Sequence, residues 1–456
     1  MNLKSINPYN EKQLASYKQH NQKQLANKVQ QAQQAWINYQ QTSISQRAVW
    51  MNNLAQQLIQ QQEHLAKLVT EEMGKPIADG IAEVKKCASV CEYYAKHAEE
   101  FLKDEIVNTD AKKSFISYQP LGIILAIMPW NFPYWQVFRF LAPALMAGNA
   151  ALLKHASNVS ACALAIEELA YAAGFPDDIF QVLLCDSKSL AVVIENPLVK
   201  AITLTGSTQA GIQVAKKAGE LLKKTVLELG GSDPYIILED ADLEQAAEIC
   251  VNSRLINNGQ SCIAAKRFIV VKTIEKAFIQ LFVAKMKAKT YGNPTEPGTD
   301  LGPMARIDLR DELHQQVTES IKKGAKCILG GFIPEGKGAF YPPTVLTKVK
   351  KGMSAYHDEL FGPVAAIISA KNEDDAIKIA NDTVFGLGGA IFTKDLAKGE
   401  QIAKEKLQAG SCFVNSLVKS DPRLPFGGIN QSGYGRELSL IGMREFLNIK
   451  TVYIQE

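Results

Sequence analysis

The chain has 456 residues, which is too long for one ordinary domain, so we expect about two to four domains. Hydrophobic residues make up 46% of the chain and charged residues 21%, which is typical of a soluble globular protein with a large core. The net charge of +3 is small and charges of both signs are interspersed. Composition therefore argues against a nucleic-acid partner and against a membrane partner.

The start of the chain and its cysteines favour a cytoplasmic protein. Residues 1–8 contain no apolar run of the kind that a signal peptide needs. The longest apolar run, residues 121–130, is too short to span a bilayer. The eight cysteines are scattered, and none has histidine partners at a convincing zinc spacing. We therefore expect reduced thiols, no metal site and a cytoplasmic location.

The first third of the chain is predicted to be largely helical. Residues 10–65 are rich in glutamine, which is compatible with either disorder or a helix with a polar face. We favour the helix, because apolar residues recur every four positions at Trp50, Leu54 and Leu58. Ser43 and Gln46 have the spacing of a capping box at the start of this helix. A second helix is predicted over residues 78–104.

Short apolar runs separated by helical stretches then follow in two series. The first series comprises residues 122–128, 150–153, 181–184, 201–204 and 225–229. The second series comprises residues 234–238, 268–271, 365–369 and 413–415. Strands that alternate with helices predict parallel sheets, so the fold class is α/β.

Two other segments are predicted to be strands without a neighbour. Residues 105–120 alternate between polar and apolar side chains, which indicates an extended hairpin. Residues 448–454 are predicted to form an edge strand with no local pairing partner. Exposed strand edges tend to pair with other chains, so both segments suggest self-association.

Three motifs carry groups that act together in covalent catalysis. Cys262 follows an Asn-Asn-Gly-Gln-Ser run, and a thiolate is a strong nucleophile. Glu228, in Leu-Glu-Leu-Gly-Gly, is a carboxylate that can activate water. Asn131, in Pro-Trp-Asn-Phe-Pro, offers an amide donor for an oxyanion. Each residue alone has a common structural explanation as a buried thiol, a turn acid or a turn cap, but the combination favours a catalytic site.

These motifs, in this order, resemble the aldehyde dehydrogenase superfamily, and the resemblance extends over residues 72–428. It implies a Rossmann-type cofactor domain, an α/β catalytic domain and a β arm that mediates assembly into a homodimer or homotetramer. The implied ranges are residues 1–104 and 121–229 for the cofactor domain, 230–430 for the catalytic domain, and 105–120 and 440–456 for the arm. It also implies that Cys262 forms a thiohemiacetal and then a thioester, which water activated by Glu228 hydrolyses.

The resemblance implies NADP or NAD as the cofactor. The implied contacts are Trp130, Lys154, Ser157, Gly206, Ser207, Leu229, Glu359 and Phe361. Gly206 and Ser207 follow a predicted strand and begin a helix, where backbone amides attract phosphate. NAD-restricted members commonly carry an acid at the position of Ser157, and an acid there repels a 2′-phosphate. We therefore expect that NADP is accepted, alone or alongside NAD.

Substrate choice is implied by a smaller set of residues. Succinate-semialdehyde dehydrogenases of this family carry an arginine at the position of Arg139, where it receives the substrate carboxylate. The alternative is that Arg139 pairs with a neighbour on its helix. A second arginine of the family pattern is replaced by Ile256, and Arg254 is the candidate to substitute for it. Ser420 and Arg423 are weaker candidates.

The predicted function is the NAD(P)-dependent oxidation of succinate semialdehyde to succinate, as in the shorter bacterial succinate-semialdehyde dehydrogenases. Oxidation of another ω-carboxy aldehyde, or of a broad aliphatic range, remains an alternative. Glu228 argues against a CoA-acylating enzyme, because acylating members generally lack this acid. The joint presence of Cys262, Glu228 and Asn131 argues against a non-catalytic structural protein of the same fold.

Overall fold

The computed structural model describes residues 2–456, so residue 1 of the predicted cofactor domain lies outside the described part. The strands are β1 Asn2–Ile6, β2 Gln13–Lys18, β3 Glu105–Ile106, β4 Lys113–Pro120, β5 Ile123–Met128, β6 Ala150–His155, β7 Phe180–Val182, β8 Val199–Thr205, β9 Lys224–Glu228, β10 Pro234–Ile237, β11 Arg267–Val271, β12 Lys326–Leu329, β13 Thr344–Thr347, β14 Val364–Ala370, β15 Gly388–Phe392, β16 Ser411–Val414, β17 Gly433–Tyr434 and β18 Leu447–Ile454. The helices are α1 Gln22–Tyr39, α2 Ile44–Gln60, α3 Gln62–Met73, α4 Ile77–Phe101, α5 Trp135–Met146, α6 Ser160–Ala172, α7 Ala191–Glu195, α8 Thr208–Glu220, α9 Leu243–Leu255, α10 Glu275–Lys287, α11 Ile307–Lys322, α12 Ser354–His357, α13 Glu373–Asn381, α14 Leu396–Gln401 and α15 Ser439–Arg444. Every strand predicted from an apolar run overlaps an observed strand.

The first sheet has the strand order β17-β9-β8-β5-β6-β7, and all of its strands are parallel except β17. The chain runs outward from β5 through β6 and β7, and then returns to the other side of β5 with β8 and β9. Strand order therefore reverses between β5 and β8, and ligands of open α/β sheets bind outside the carboxyl ends at such a point. Residues 129–131 and 206–207 follow these two strands and line this crevice.

Helices α1 to α4 confirm most of the helical prediction for the first third of the chain. Ser43 is the N-cap of α2 and accepts a hydrogen bond from the Gln46 backbone N–H at 3.1 Å. The helical prediction was wrong for Gln13–Lys18, which forms β2 and pairs antiparallel with β1. Local composition hides this strand, because its pairing partner Asn2–Ile6 is what determines its conformation.

The second sheet has the strand order β12-β13-β14-β11-β10-β15-β16, and all of its strands are parallel except β12. Successive residues of β11, such as Phe268 and Ile269, enter two separate apolar clusters, so both faces of the sheet are covered. The loops that precede β10, β11 and β14 all lie at the amino edge of this sheet. Residues of these loops line the same crevice as the carboxyl edge of the first sheet.

The hairpin of β3 and β4 and the carboxyl-terminal strand β18 form a third, antiparallel sheet. The predicted hairpin is confirmed, but the two segments predicted to lack neighbours pair with each other. Part of helix α15 lies within the predicted arm range 440–456, and β17, which comes just before that range, pairs with β9 of the first sheet. The division of the chain into domains stays a prediction. Among residues 2–456, no helix combines the length and the apolar character that crossing a membrane requires.

Candidate active site

The loop that carries Cys262 is tied to the loop that carries Asn131. Asn257 and Asn258 have left-handed backbone conformations, with φ of 53° and 57°, which reverse the chain after α9. The Asn257 side chain donates to the carbonyl oxygens of Asn131 at 2.6 Å and Gln260 at 3.0 Å. The Asn131 side chain donates to the same Gln260 carbonyl at 3.1 Å. These bonds bring the predicted oxyanion donor next to the predicted nucleophile.

Cys262 lies where two cavities meet. One cavity, of about 520 Å³, has in its lining residues of α4 and α5 and residues 418–420, and we call it the helix cavity. The other, of about 380 Å³, occupies the crevice at the carboxyl edge of the first sheet, and we call it the crevice cavity. Cys262 and Gln136 line both. A thiol in this position can bond to a molecule in one cavity while a ligand in the other faces the reacting atoms.

Lys266 lies beneath the thiol loop and is fully buried. Its ammonium group donates to the carbonyl oxygens of Ser261 at 2.8 Å and Cys262 at 2.6 Å, and it pairs with Glu359 at 3.6 Å. Burial raises the pKa of the Cys262 thiol to about 12, and the nearby Arg139 and Lys266 charges oppose this rise. The thiol is therefore mostly protonated at neutral pH in this structure.

Alkylation of Cys262 should accelerate with pH. Because the pKa of the thiol is about 12, the thiolate fraction rises about tenfold for each unit of pH below that value. We expect the rate of iodoacetamide inactivation to follow this slope from about pH 7 to about pH 9. The measurement is the inactivation rate at each pH, with the modified Cys262 peptide quantified by mass spectrometry. A plateau below about pH 8 would contradict the raised pKa.

Glu228 ends β9 and is only 2% exposed. Within residues 2–456, neither of its carboxylate oxygens has a hydrogen-bond partner, and Glu228 lines neither cavity. Burial and the nearby Glu437 raise its pKa, while Arg139 and Arg436 lower it. Gly427 leaves room for this side chain, since a Cβ there would lie 2.6 Å from Oε1 of Glu228. The carboxyl group is therefore buried without any hydrogen-bond partner that holds it in this position.

Most of the predicted cofactor residues line the crevice cavity, namely Trp130, Gly206, Ser207, Leu229, Glu359 and Phe361. Ser207 is the N-cap of α8 and accepts from the Ala210 backbone N–H at 3.3 Å, so the helix begins at the cavity. Free amides at a helix N-terminus favour phosphate. Glu359 accepts from the Gly231 backbone N–H at 3.0 Å and offers a carboxylate to ribose hydroxyls. These groups fit a dinucleotide.

Lys154 and Ser157 lie outside both cavities, at the carboxyl end of β6. Ser157 is exposed and Lys154 is half-buried, and burial lowers the pKa of Lys154. His155 between them is buried, and its Nε2 lies 2.9 Å from the Pro133 carbonyl oxygen. Burial lowers the pKa of His155 to about 4, so a neutral ring supports the turn after Asn131. Sequence reasoning assigned no role to this histidine.

The four predicted substrate residues divide into two pairs. Arg139 and Ser420 line the helix cavity. Arg139 is also buried in an ion pair with Glu437, from a different element rather than from its own helix. Arg254 lines neither cavity; it is fully buried and donates to the Gly259 carbonyl at 2.6 Å. The exposed Arg423 pairs with Asp421 and also lies outside both cavities, so the structure does not bring these two arginines to the site.

Several residues that shape the site went unnoticed in the sequence. They are Lys86, Trp135 and Gln136, which line the helix cavity, and Lys266 and Glu437, which lie beside it. One signal was available for Lys86, because it shares a face of the predicted second helix with Glu83, Cys87 and Val90. A lysine on the buried face of a helix needs a partner or a ligand.

A crevice that fits a dinucleotide, with a cysteine at its inner end and a second cavity beyond, defines a thiol-dependent oxidoreductase of the α/β class. The chain belongs to the aldehyde dehydrogenase family, whose model matches residues 1–452. It is 48% identical over 454 residues to a probable succinate-semialdehyde dehydrogenase [NADP(+)] of Synechocystis, with all of both chains covered. It is 46% identical over 457 residues to succinate-semialdehyde dehydrogenase [NADP(+)] 1 of Mycobacterium tuberculosis, again with both chains fully covered.

The solved structures agree with this family. The structure of succinic semialdehyde dehydrogenase from Streptococcus pyogenes in complex with NADP+ superposes with a TM-score of 0.97 at 36% identity, and all of both chains is covered. Among residues 2–456, no group of three or more histidine, cysteine or acidic side chains is arranged to hold a metal ion.

Proposed function

We propose that this protein oxidises succinate semialdehyde to succinate with NADP+, through a thioester on Cys262. The observation that carries this proposal is the position of Cys262 at the junction of the two cavities. The names of the full-length relatives from Synechocystis and Mycobacterium tuberculosis support both the substrate and the cofactor.

The proposed reaction uses three side chains. The Cys262 thiol first loses its proton to solvent, and the thiolate Sγ then bonds to the aldehyde carbon while the carbonyl oxygen becomes an oxyanion. Asn131 has two amide hydrogens, of which one is given to Gln260, so the second is available to the oxyanion. Bound NADP+ supplies the acceptor for the hydride that the substrate carbon loses. Glu228 then takes a proton from the water that hydrolyses the thioester, and the Cys262 thiolate leaves.

The residues around the adenosine end support NADP+ over a strict requirement for NAD+. Ser157 is uncharged and exposed, and Lys154 lies three residues earlier, near the carboxyl end of strand β6. A 2′-phosphate therefore meets a cation and a hydroxyl group rather than an acid.

We also infer that the protein acts in the cytoplasm and assembles with copies of itself through the arm. All eight cysteines are free, which fits a reducing compartment. Strand β18 exposes the apolar side chains of Ile449, Tyr453 and Ile454. Exposed apolar strand residues of this kind commonly mark an interface.

The proposed function is tested by comparing four combinations of substrate and cofactor. Succinate semialdehyde and butanal have the same number of carbons, but only the first carries a carboxylate. We expect kcat/KM to favour succinate semialdehyde and NADP+ by about tenfold or more each, because each preference depends on charge-assisted hydrogen bonds. Equal values of kcat/KM for the two aldehydes would contradict the proposed substrate, and a strong preference for NAD+ would contradict the proposed cofactor.

A further inference from the structure

The Ser420 hydroxyl group, in the wall of the helix cavity, has its accepting capacity filled. It accepts one hydrogen bond from the Lys86 ammonium group at 2.8 Å and another from the Trp135 indole N–H at 3.1 Å. Both partners are donors only, so the hydroxyl hydrogen of Ser420 must seek an acceptor elsewhere. Among residues 2–456, no acceptor for this hydrogen lies within hydrogen-bond distance. The hydroxyl group therefore has a hydrogen to give to a molecule in the cavity.

Lys86 is the half-buried cation of this wall that has no carboxylate partner in residues 2–456. Its ammonium group lies 4.1 Å from the centre of the Trp135 ring, which fixes it by a cation–π contact. Only one of its three N–H donors is used, in the bond to Ser420. Burial and the nearby Arg139 lower its pKa to about 8, so it keeps its charge at neutral pH.

The acids closest to Lys86 are engaged elsewhere. Glu83, one turn earlier on α4, forms a buried ion pair with Lys75. Its other oxygen accepts the backbone N–H groups of Tyr134 and Trp135 at 2.9 Å each, at the start of α5. Asp421 pairs with Arg423, as described above. The charge of Lys86 is therefore left for a ligand.

Arg139, in the same cavity wall, differs from Lys86 in having a carboxylate partner within the protein. Its charge is paired with that of Glu437. The guanidinium carbon lies 4.6 Å from the centre of the Phe426 ring. Two other charged residues of the cavity wall are placed differently. Lys419 is exposed, and Asp79 lies two helical turns before Lys86, about 10 Å along α4.

We propose that Lys86, together with the Ser420 hydroxyl group, binds the carboxylate of the aldehyde substrate in the helix cavity. This inference rests on the proposed function, because it requires an ω-carboxy aldehyde. Two ammonium hydrogens and one hydroxyl hydrogen are available to a single anion, and Cys262, which would meet the aldehyde end, lines the same cavity. Lys86 is thus a further specificity-determining residue, whose charge adds to that of Arg139 in the same cavity wall.

The test compares wild type, Lys86→Met and Lys86→Arg on succinate semialdehyde and on butanal. We expect Lys86→Met to lower kcat/KM for succinate semialdehyde by about tenfold to a hundredfold, mostly through KM, because a charged hydrogen bond made in both ground and transition states is lost. The value for butanal should fall much less than the value for succinate semialdehyde. Lys86→Arg should recover part of the loss, and inhibition by succinate should weaken in Lys86→Met.

Lys85→Met is the matched control, since Lys85 is the exposed neighbour of Lys86 on the same helix. An equal loss with both aldehydes in Lys86→Met would overturn the inference, as would a selective loss in Lys419→Met but not in Lys86→Met. If the wild type prefers succinate semialdehyde and Lys86→Met keeps that preference, the role of Lys86 is wrong but the proposed function stands. If the wild type shows no preference for succinate semialdehyde over butanal, the proposed function is contradicted.

Discussion

A Cys262→Ser variant is expected to reduce NADP+ with aldehyde about 10⁴-fold more slowly than the wild type, or worse, with its fold intact. A serine hydroxyl is close in size to the thiol but far less acidic, so the attacking anion is almost absent. Burial raises the pKa of the wild-type thiol to about 12, but a thiol still ionises far more readily than a serine hydroxyl group. The loss should therefore be chemical rather than structural.

Two features make this comparison clean. The loop around Cys262 is held by the side chains of Asn131, Asn257 and Lys266, which contact carbonyl oxygens rather than the sulfur. Cys327 and Cys412 provide matched controls, because they are also free and half-buried but line neither cavity. Stopped-flow NADPH absorbance measures the rate, and circular dichroism checks the fold. A Cys262→Ser enzyme with near wild-type turnover, or an inactive Cys412→Ser enzyme, would refute the assignment.

The strands of the two large sheets that the sequence predicted share one physical property. Buried parallel strands, such as Ile123–Met128, are covered on both faces and so appear as continuous apolar runs. Strand β15 escaped prediction because it begins with two glycines. A Cβ on Gly388 would lie 2.5 Å from an Asp233 oxygen, and a Cβ on Gly389 would lie 2.8 Å from the Leu407 side chain. Packing against these residues overrides the low strand propensity of glycine, and no local pattern reports such packing.

The candidate site was predictable where chemistry is concentrated in short motifs. Asn131 and Cys262 belong to such motifs, and the structure places them on two loops joined by hydrogen bonds. The arginines show the limit of spacing arguments. Arg254 is near the thiol in sequence, but the left-handed turn that follows α9 leaves it beneath the loop rather than in the cavity. The partner of Arg139, Glu437, comes from the far end of the chain, where spacing carries no information.

Lys86 was missed for a related reason. Its helix was predicted, but its relation to Trp135 and Ser420 depends on three elements that meet only in the folded chain. The sequence shows a lysine on an apolar helix face, which by itself indicates either a snorkelling side chain or a binding group. Only the count of donors and acceptors around Ser420 distinguishes the two, and that count needs the structure.

A Glu228→Gln variant should acylate but hardly turn over. Acylation needs Cys262 and the bound dinucleotide, whereas hydrolysis needs a base for water, and an amide cannot accept that proton. We expect a burst of about one NADPH per active site, followed by a steady-state kcat about 10² to 10⁴ times lower. Rapid mixing measures the burst, and mass spectrometry should find the acyl group on the Cys262 peptide. Glu239→Gln, which changes an exposed acid just after β10, is the control.

The same variant tests the buried state of Glu228 independently of catalysis. Burial raises its folded-state pKa above that of the unfolded chain, so ionisation on rising pH favours unfolding. Wild-type protein therefore loses stability as the pH passes upward through the raised pKa, and Glu228→Gln lacks this loss. Thermal melts of both proteins over a pH series that starts near the ordinary glutamate pKa and rises from there should show the smaller decline in Glu228→Gln. Parallel declines of the two proteins would mean that Glu228 is solvated or paired. A Glu228→Gln variant that shows no NADPH burst would mean that Glu228 acts as a base before deacylation.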